Sequence, residues 1–558
     1  MLSREYFSLL SLSMAASFHT GLHAQALPDA GSLRQQIEQQ RDLQLPQAVR
    51  PGRVTLPKEI KAPVGITVRP QSFRLIGNQL LNTEQLTQAL AEFVGRELDF
   101  NDLQRACDTV AAVYREEGWI ARVYLPEQDI STGVITLQVV EANFGGVRFE
   151  GEATQRVNIS EVEAFLNTSQ TTGQPLNADA LDRALLLADD LPGVSVAGTL
   201  APGKTVGEIL LMVQTTDEPN IYGDISLDNA GTRSTGSERI TANFFINSPA
   251  RRGDLFNATV LHSRGSDYGR VAYSLPYGYD GLRLGVSASD MHYKVINGTS
   301  ANSVARIEGR SDSKGFDWSY PILRTRLQNL YTSGGIERKK FFTQDMQVRS
   351  DYESQSLLLS LSGNRFDDLG GGGANAASLQ LTAGRLLQMH AHTLKDTIDR
   401  SYNKLNYSLS RQQTLTASHS VLLSMQAQHA TQALDSSEKF YIGGPSTVRA
   451  YPTSELGAER GHAMSVEWRW RLHAGWLLSA FIDNGRVVSL PATASERSST
   501  LTLRGHGFGV NWQTPQGGSV RLTWAHRDGT NPRPTQAGTD GDGTLRLNRW
   551  WLATSMPF

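Results

Sequence analysis

The chain has 558 residues, 39% of them hydrophobic, a formal net charge of −2 and a single cysteine. The length is too great for one compact core, the charge balance argues against a nucleic-acid binder, and Cys107 alone excludes an internal disulfide. No apolar run is long enough for a helical membrane span, whereas a transmembrane barrel stays open because its strands are only half apolar.

In chain order, residues 1–26 read as a secretory signal, with Arg4 in the n-region, an apolar stretch from Phe7 to Phe18, and the cleavage pattern Ala24-Gln25-Ala26. Residues 27–44 hold good helix formers and few apolar ones from Asp29 to Arg41, which predicts a polar helix with little to bury. Pro46, Pro51, Pro57, Pro63 and Pro70 rule out regular structure over the next stretch, and residues 45–66 read as an extended tether.

Two copies of one plan follow, at 67–142 and 143–217. The first predicts a strand at 71–75, a turn at Gly77-Asn78, a helix over 83–93 capped by Thr83, and a second helix over 101–117 stopped by Gly118. Strands at 121–125 and 133–140 complete it. Cys107 falls on the apolar stripe Leu103, Cys107, Val110, Tyr114, as a buried small hydrophobe would. The second copy predicts a strand at 146–151, helices at 160–166 and 178–191, and strands at 194–200 and 208–214. Strand–helix–helix–strand–strand used twice makes a pair of small α+β modules.

From 218 to 558 the helical period gives way to about sixteen alternating stretches. From Met464 to Leu472 one face is Met, Val, Trp, Trp and Leu while the other is Ser, Glu, Arg and Arg. A soluble sandwich also alternates, but an even strand count and aromatic residues near stretch ends (Trp470, Trp476, Trp512, Trp550) favour a barrel with an interfacial girdle. The last alternating stretch carries Trp550, Leu552, Thr554, Met556 and Phe558 on one parity.

Between two late strands, in a long loop at 430–461, lies Gly443-Gly444-Pro445-Ser446-Thr447-Val448-Arg449-Ala450-Tyr451. On the next strand lies Phe481-Ile482-Asp483-Asn484-Gly485, where parity with outward Leu478, Ala480 and Ile482 turns Phe481 and Asp483 inward. The first module carries Pro126-Glu127-Gln128-Asp129-Ile130-Ser131-Thr132-Gly133 before its last strand. These motifs and the element order resemble the outer-membrane transporters of two-partner secretion, the TpsB or haemolysin secretion/activation proteins. The first is similar to the family's GG…VRGY loop signature, with Ala450 where Gly is usual; the second matches F-x-D-x-G, and the third P-x-Q-D-I-x-x-G. The methyl of Ala450 requires either a turn with negative φ or a distorted motif.

The resemblance implies a transmembrane β-barrel of about 16 antiparallel strands behind two periplasmic POTRA domains and an N-terminal plug helix. It implies a monomer in the outer-membrane lipid that exports a large secreted exoprotein, whether an adhesin, a cytolysin, a haem-binding protein or a growth-inhibition toxin. No nucleotide-binding loop, cofactor, metal set or catalytic constellation is evident, so neither ATP nor catalysis is expected. Physical chemistry adds a role for the two loop motifs. A guanidinium inside a barrel needs a partner, and Arg449 is expected to lock onto Asp483. Gly443, Gly444, Val448 and Tyr451 would shape the loop tip, with Phe481 and Gly485 on the wall. The motif residues Pro126, Gln128, Asp129 and Gly133 lie in a segment that reads as a turn, with Asp129 and Gly133 as its turn residues. A related assembly factor that inserts barrels shares the fold, but the plug, the tether and only two POTRA modules favour secretion.

Overall fold

The computed structural model describes residues 29–41, 67–130, 132–296, 307–345, 349–391, 400–473, 475–491 and 497–558. The expected signal at 1–26 and tether at 45–66 lie outside them. Helix α1 (Ala30–Arg41) stands alone at the start. The first module contains β1 (Ser72–Ile76), α2 (Thr83–Ala89), α3 (Phe100–Glu116), β2 (Ala121–Tyr124) and β3 (Val134–Glu141). The cap of α2 is Asn82, not Thr83, because the Asn82 backbone is extended and its side chain accepts from the Glu84 amide at 3.1 Å. A capping box between Asp99 and Asp102 starts α3. The predicted stripe of α3 is buried against the sheet. Burial pushes the Cys107 thiol up to about 12, which makes it a core hydrophobe at neutral pH.

The sheet order is β1-β3-β2, with β1 parallel and β2 antiparallel to the central β3. The second module repeats it with β4 (Asn143–Glu150), α4 (Ile159–Ser169), α5 (Ala178–Asp189), β5 (Val194–Pro202) and β6 (Glu208–Asp217), in the order β4-β6-β5. In each copy the last strand enters the middle of the sheet, so the two helices cover one face and build one core.

Residues 221 to 557 form a closed barrel of sixteen strands, each antiparallel to its chain neighbours. The alternation sorts by solvent. Leu357, Leu359 and Leu361 point outward at 58%, 51% and 42% exposure, which in a bilayer is contact with acyl chains. Trp476 and Trp512 stack at 5.5 Å near the edge that faces the modules, as a girdle residue pair would. The seam between Asn548–Pro557 and Ile221–Asp228 has five registered pairs. Asn229 lengthens it, its side chain donating to the Trp550 carbonyl at 3.0 Å and accepting from the Leu552 amide at 2.9 Å.

The second module is bolted to the barrel rim. Arg324 grips Asp190 through two bonds of 2.7 Å, Arg326 reaches Asp182 at 2.6 Å, and Arg183 donates to the Pro321 carbonyl at 2.7 Å. Gly253, on the turn between the strands Arg239–Asn247 and Leu255–Ser263, leaves room for Leu191, since a Cβ there would sit 2.5 Å from the leucine methyl.

Candidate functional site

The chain leaves the strand His419–Ala430 and returns at Arg460–Arg471. Between them the loop pairs Phe440–Ile442 with Leu456–Ala458 and turns inward rather than out to solvent. Gly443 (φ 108) and Gly444 (φ 93) make the bend that an L side chain would strain. The Thr447 hydroxyl closes it by accepting from the Gly443 amide at 2.8 Å. Val448, Ala450 and Tyr451 are buried at 0%, 0% and 1% exposure against the wall residues Phe481, Val487, Leu503 and Ala525.

At this tip Arg449 uses its whole fork. Nε and Nη2 donate to the two oxygens of Asp483 at 2.9 and 2.8 Å, Nη1 donates to Glu467 at 2.6 Å, and Nη2 also donates to Ser465 at 2.8 Å. The Arg449 amide adds a bond to Asp483 at 3.0 Å, and the Trp551 indole donates to the Arg449 carbonyl at 2.7 Å. The guanidinium carbon lies 3.3 Å from the centre of the Phe481 ring. Asp483 is 1% exposed, so its charge is answered wholly by this cluster. Arg469 donates to Glu467 at 2.8 Å, giving two cations and two carboxylates in one network.

Sequence reasoning paired Arg449 with Asp483 and turned Phe481 inward, but missed the stacking of Arg449 on Phe481 and the partners Ser465, Glu467 and Trp551. The signal was present, because Ser465 and Glu467 share the polar face of their strand. Also missed was a row of wall glycines that makes the close approach possible. A Cβ on Gly485 would lie 2.7 Å from Val448, and one on Gly507 would lie 2.6 Å from the Phe481 ring. The methyl of Ala450 fills the space that a Gly505 side chain would take. Ala450 is absent from the positive-φ residues, so the turn keeps φ negative and the motif is undistorted.

The third motif lies far from the lumen and has a physical reason of its own. Ladder pairing between β2 and β3 stops at Tyr124. The Gln128 amide then replaces a strand, accepting from Thr136 N–H at 2.6 Å and donating to Thr136 C=O at 2.8 Å. Pro126 and Asp129 lie on the connection that brings Gln128 there, and Gly133 takes φ 71 where the chain turns back into β3.

The second occupant of the lumen is α1. Its polar sequence predicts little to bury, yet Arg34 is 1% exposed because the surrounding wall is polar too. Arg34 donates to Glu38 at 2.7 Å, to Ser289 at 3.0 Å and to Ser313 at 2.6 Å. Lys339 on the wall bonds Glu38 and pairs with Glu337, each at 3.2 Å. At the helix start, Asp29 accepts from Ser436 of the inward loop at 2.9 Å, and Gly31 packs on Ser437.

Comparison with known proteins agrees with this architecture. Residues 207–512 match the model of the haemolysin secretion/activation proteins ShlB/FhaC/HecB, and residues 68–142 match the ShlB-type POTRA domain. The heme/hemopexin transporter protein HuxB of Haemophilus influenzae (strain 86-028NP) is 26% identical over 492 residues, covering 84% of this chain and 85% of its own. The outer membrane transporter CdiB of Dickeya dadantii (strain 3937) is 23% identical, covering 79% of each chain. The solved structure of CdiB from Escherichia coli superposes with a TM-score of 0.72 at 20% identity, covering 96% of this chain and all of that one. The barrel therefore sits in the outer membrane with its modules in the periplasm, and the inward loop enters from the cell-surface end. This chain belongs to the haemolysin secretion/activation family, the outer-membrane transporters of two-partner secretion.

Proposed function

We propose that the chain exports its partner through a lumen with one fixed occupant and one removable occupant. The loop tip is the fixed one, locked by Arg449 and Asp483, and α1 is the resting plug. The single observation behind this reading is the contrast in how they are held. The tip is seated in an apolar cluster with wall glycines beneath it, while α1 sets Ala30, Leu33 and Ile37 on an apolar patch and adds a polar grip through Arg34, Glu38 and Lys339. A partner arriving unfolded would add a strand to a POTRA sheet edge, where backbone hydrogen bonds supply affinity with little demand on sequence. Withdrawal of α1 on its tether would then clear the path. Folding of the partner outside would give direction without ATP. The relative HuxB is a heme/hemopexin transporter, which makes a haem-acquisition exoprotein the first cargo to test.

The test of the lock is secretion of the partner from cells carrying Arg449→Ala or Asp483→Ala. Both variants should export poorly, and normal export by both would overturn it. The test of the plug is deletion of residues 29–41, which should raise the resting conductance in planar bilayers; an unchanged current would overturn it.

A further inference from the structure

We propose that the inward loop has a second function: residues 449–453 clasp the seam of the barrel and hold shut the half of it that has no ladder. The seam joins the first barrel strand, Ile221–Asp228, to the last, Asn548–Pro557. Its five registered pairs run from Ala553 with Asp228 to Pro557 with Asp224. Among the described residues, every other pair of neighbouring barrel strands has at least eight. Ile221 follows the second module, so the ladder lies toward the periplasm and the gap toward the cell surface. Residues 548–552 of the last strand have no registered partner on the first.

An open strand edge is not tolerated against hydrocarbon, where no water can answer its backbone groups. Asn229 supplies one step of the missing ladder, its amide donating to the Leu552 carbonyl at 3.2 Å and its side chain bonding the backbone of Trp550 and Leu552. At that height the loop takes over from the lumen. The Thr453 hydroxyl donates at 2.8 Å to the carbonyl of Ala230, just past the end of the first strand. The Trp551 indole, on the last strand, donates to the Arg449 carbonyl at 2.7 Å. One bond goes to each side of the gap, and the two loop residues that make them are only four apart.

A clasp works only if its middle cannot yield. Arg449 is tied to Asp483 through both carboxylate oxygens. Tyr451 is buried and carries the Arg527 guanidinium 4.3 Å from its ring centre. Arg527 and Arg549, the latter on the last strand, both donate to Asp540, and Glu455 of the loop accepts from the Gly541 amide at 3.0 Å. The last strand is therefore held to the loop through Trp551 and again through Asp540 and Gly541. If the two seam bonds only packed the loop, their loss would free the loop and leave the seam unchanged; as a clasp, their loss loosens the seam itself. A closed seam keeps lipid out of the lumen while a polypeptide threads it. The clasp depends on where the loop sits and not on the proposed export route, so either can fail alone.

The experiment is amide hydrogen exchange read by mass spectrometry on the mature full-length protein in detergent. It compares the parent with Thr453→Val, Trp551→Phe and the double variant, each change removing one donor while keeping most of the side chain. Amides of residues 223–229 and 552–558 should exchange faster, by on the order of tenfold in the double variant and by less in each single one. Amides of the long strands Gln328–Gln344 and Arg349–Asp367 should exchange as in the parent. Heat-modifiable migration in gels checks that each barrel is folded; if the double variant does not fold, the comparison of Thr453→Val with the parent decides alone. Unchanged exchange at the seam overturns the clasp. So does an equal rise in every strand, since that outcome describes a barrel weakened throughout.

Discussion

Two objects occupy the same lumen, and they are fastened in different ways. The inward loop presents Val448, Ala450 and Tyr451 to an apolar patch of the wall and sets Arg449 on a carboxylate that is itself fully buried. Helix α1 buries Ala30 and Leu33 and packs Ile37 beside them, and adds hydroxyl contacts and ion pairs to the wall. Apolar burial with a saturated ion cluster is lost only as a unit, because exposing any part leaves unpaired charge in a region without water. Hydroxyl contacts can be exchanged for water one at a time, at a small net cost each. On the proposed reading, the difference would let a single pore hold one permanent fitting and one that leaves.

The comparison breaks most visibly at Asp483. Removing its carboxylate takes away three of the bonds to Arg449 and leaves the guanidinium with Glu467 and Ser465, so the loss stays below the about 3–5 kcal/mol of a fully broken buried pair. Asp483→Ala should therefore release the tip and abolish most partner export, read as exoprotein in culture supernatant; wild-type export would mean that the loop needs no anchor. A smaller loss is expected from Gly505→Ala, whose new methyl would collide with that of Ala450. Adding Ala450→Gly should restore part of it, because the His526 carbonyl would still lie 2.7 Å from the new Cβ. Failure of the second change to help would show that the two positions do not share this space.

On the other side, Arg34→Ala should open the pore without disturbing the barrel. Resting conductance in planar bilayers should rise toward that of the protein lacking residues 29–41, while heat-modifiable migration stays as in the parent. A closed pore in this variant would place the grip on α1 elsewhere. The smallest effect belongs to the rim. Asp190→Ala removes a partner of Arg324, whose side chain is only 7% exposed, but the guanidinium keeps its bonds to the Thr325 carbonyl and the Asn329 side-chain oxygen, so the loss is partial. Thermal unfolding should move little and export should persist.

Much of this was legible before the fold was seen, and the rest was hidden for definite reasons. Strand parity alone turned Asp483 and Phe481 inward, and the alternation of Met464 to Leu472 placed Glu467 and Ser465 on the lumen side. What parity could not supply was which inward residues meet, since that depends on strand register around the cylinder. Gly505 and Gly507 carry no chemistry that a motif search would notice; their value is the absence of a Cβ opposite Ala450 and Phe481. The polar composition of α1 concealed its burial, because composition describes the helix and not the cavity that receives it. Gln128 looked like a turn residue because a side chain that stands in for a strand leaves no periodic trace. Asn82 displaced Thr83 as the cap for a local reason, the extended backbone one residue earlier.

The serines around Arg34 have a consequence for the wall that would be left behind if α1 departed as proposed. Lys339 and Glu337 still neutralise each other at 3.2 Å, and Ser289, Ser311 and Ser313 need only water to replace the guanidinium. The vacated patch is then a hydroxylated surface with no stray charge to snag a passing segment of either sign. Such a lining offers low friction, so a threading chain would slide on a film of exchangeable water instead of halting at each acidic or basic residue.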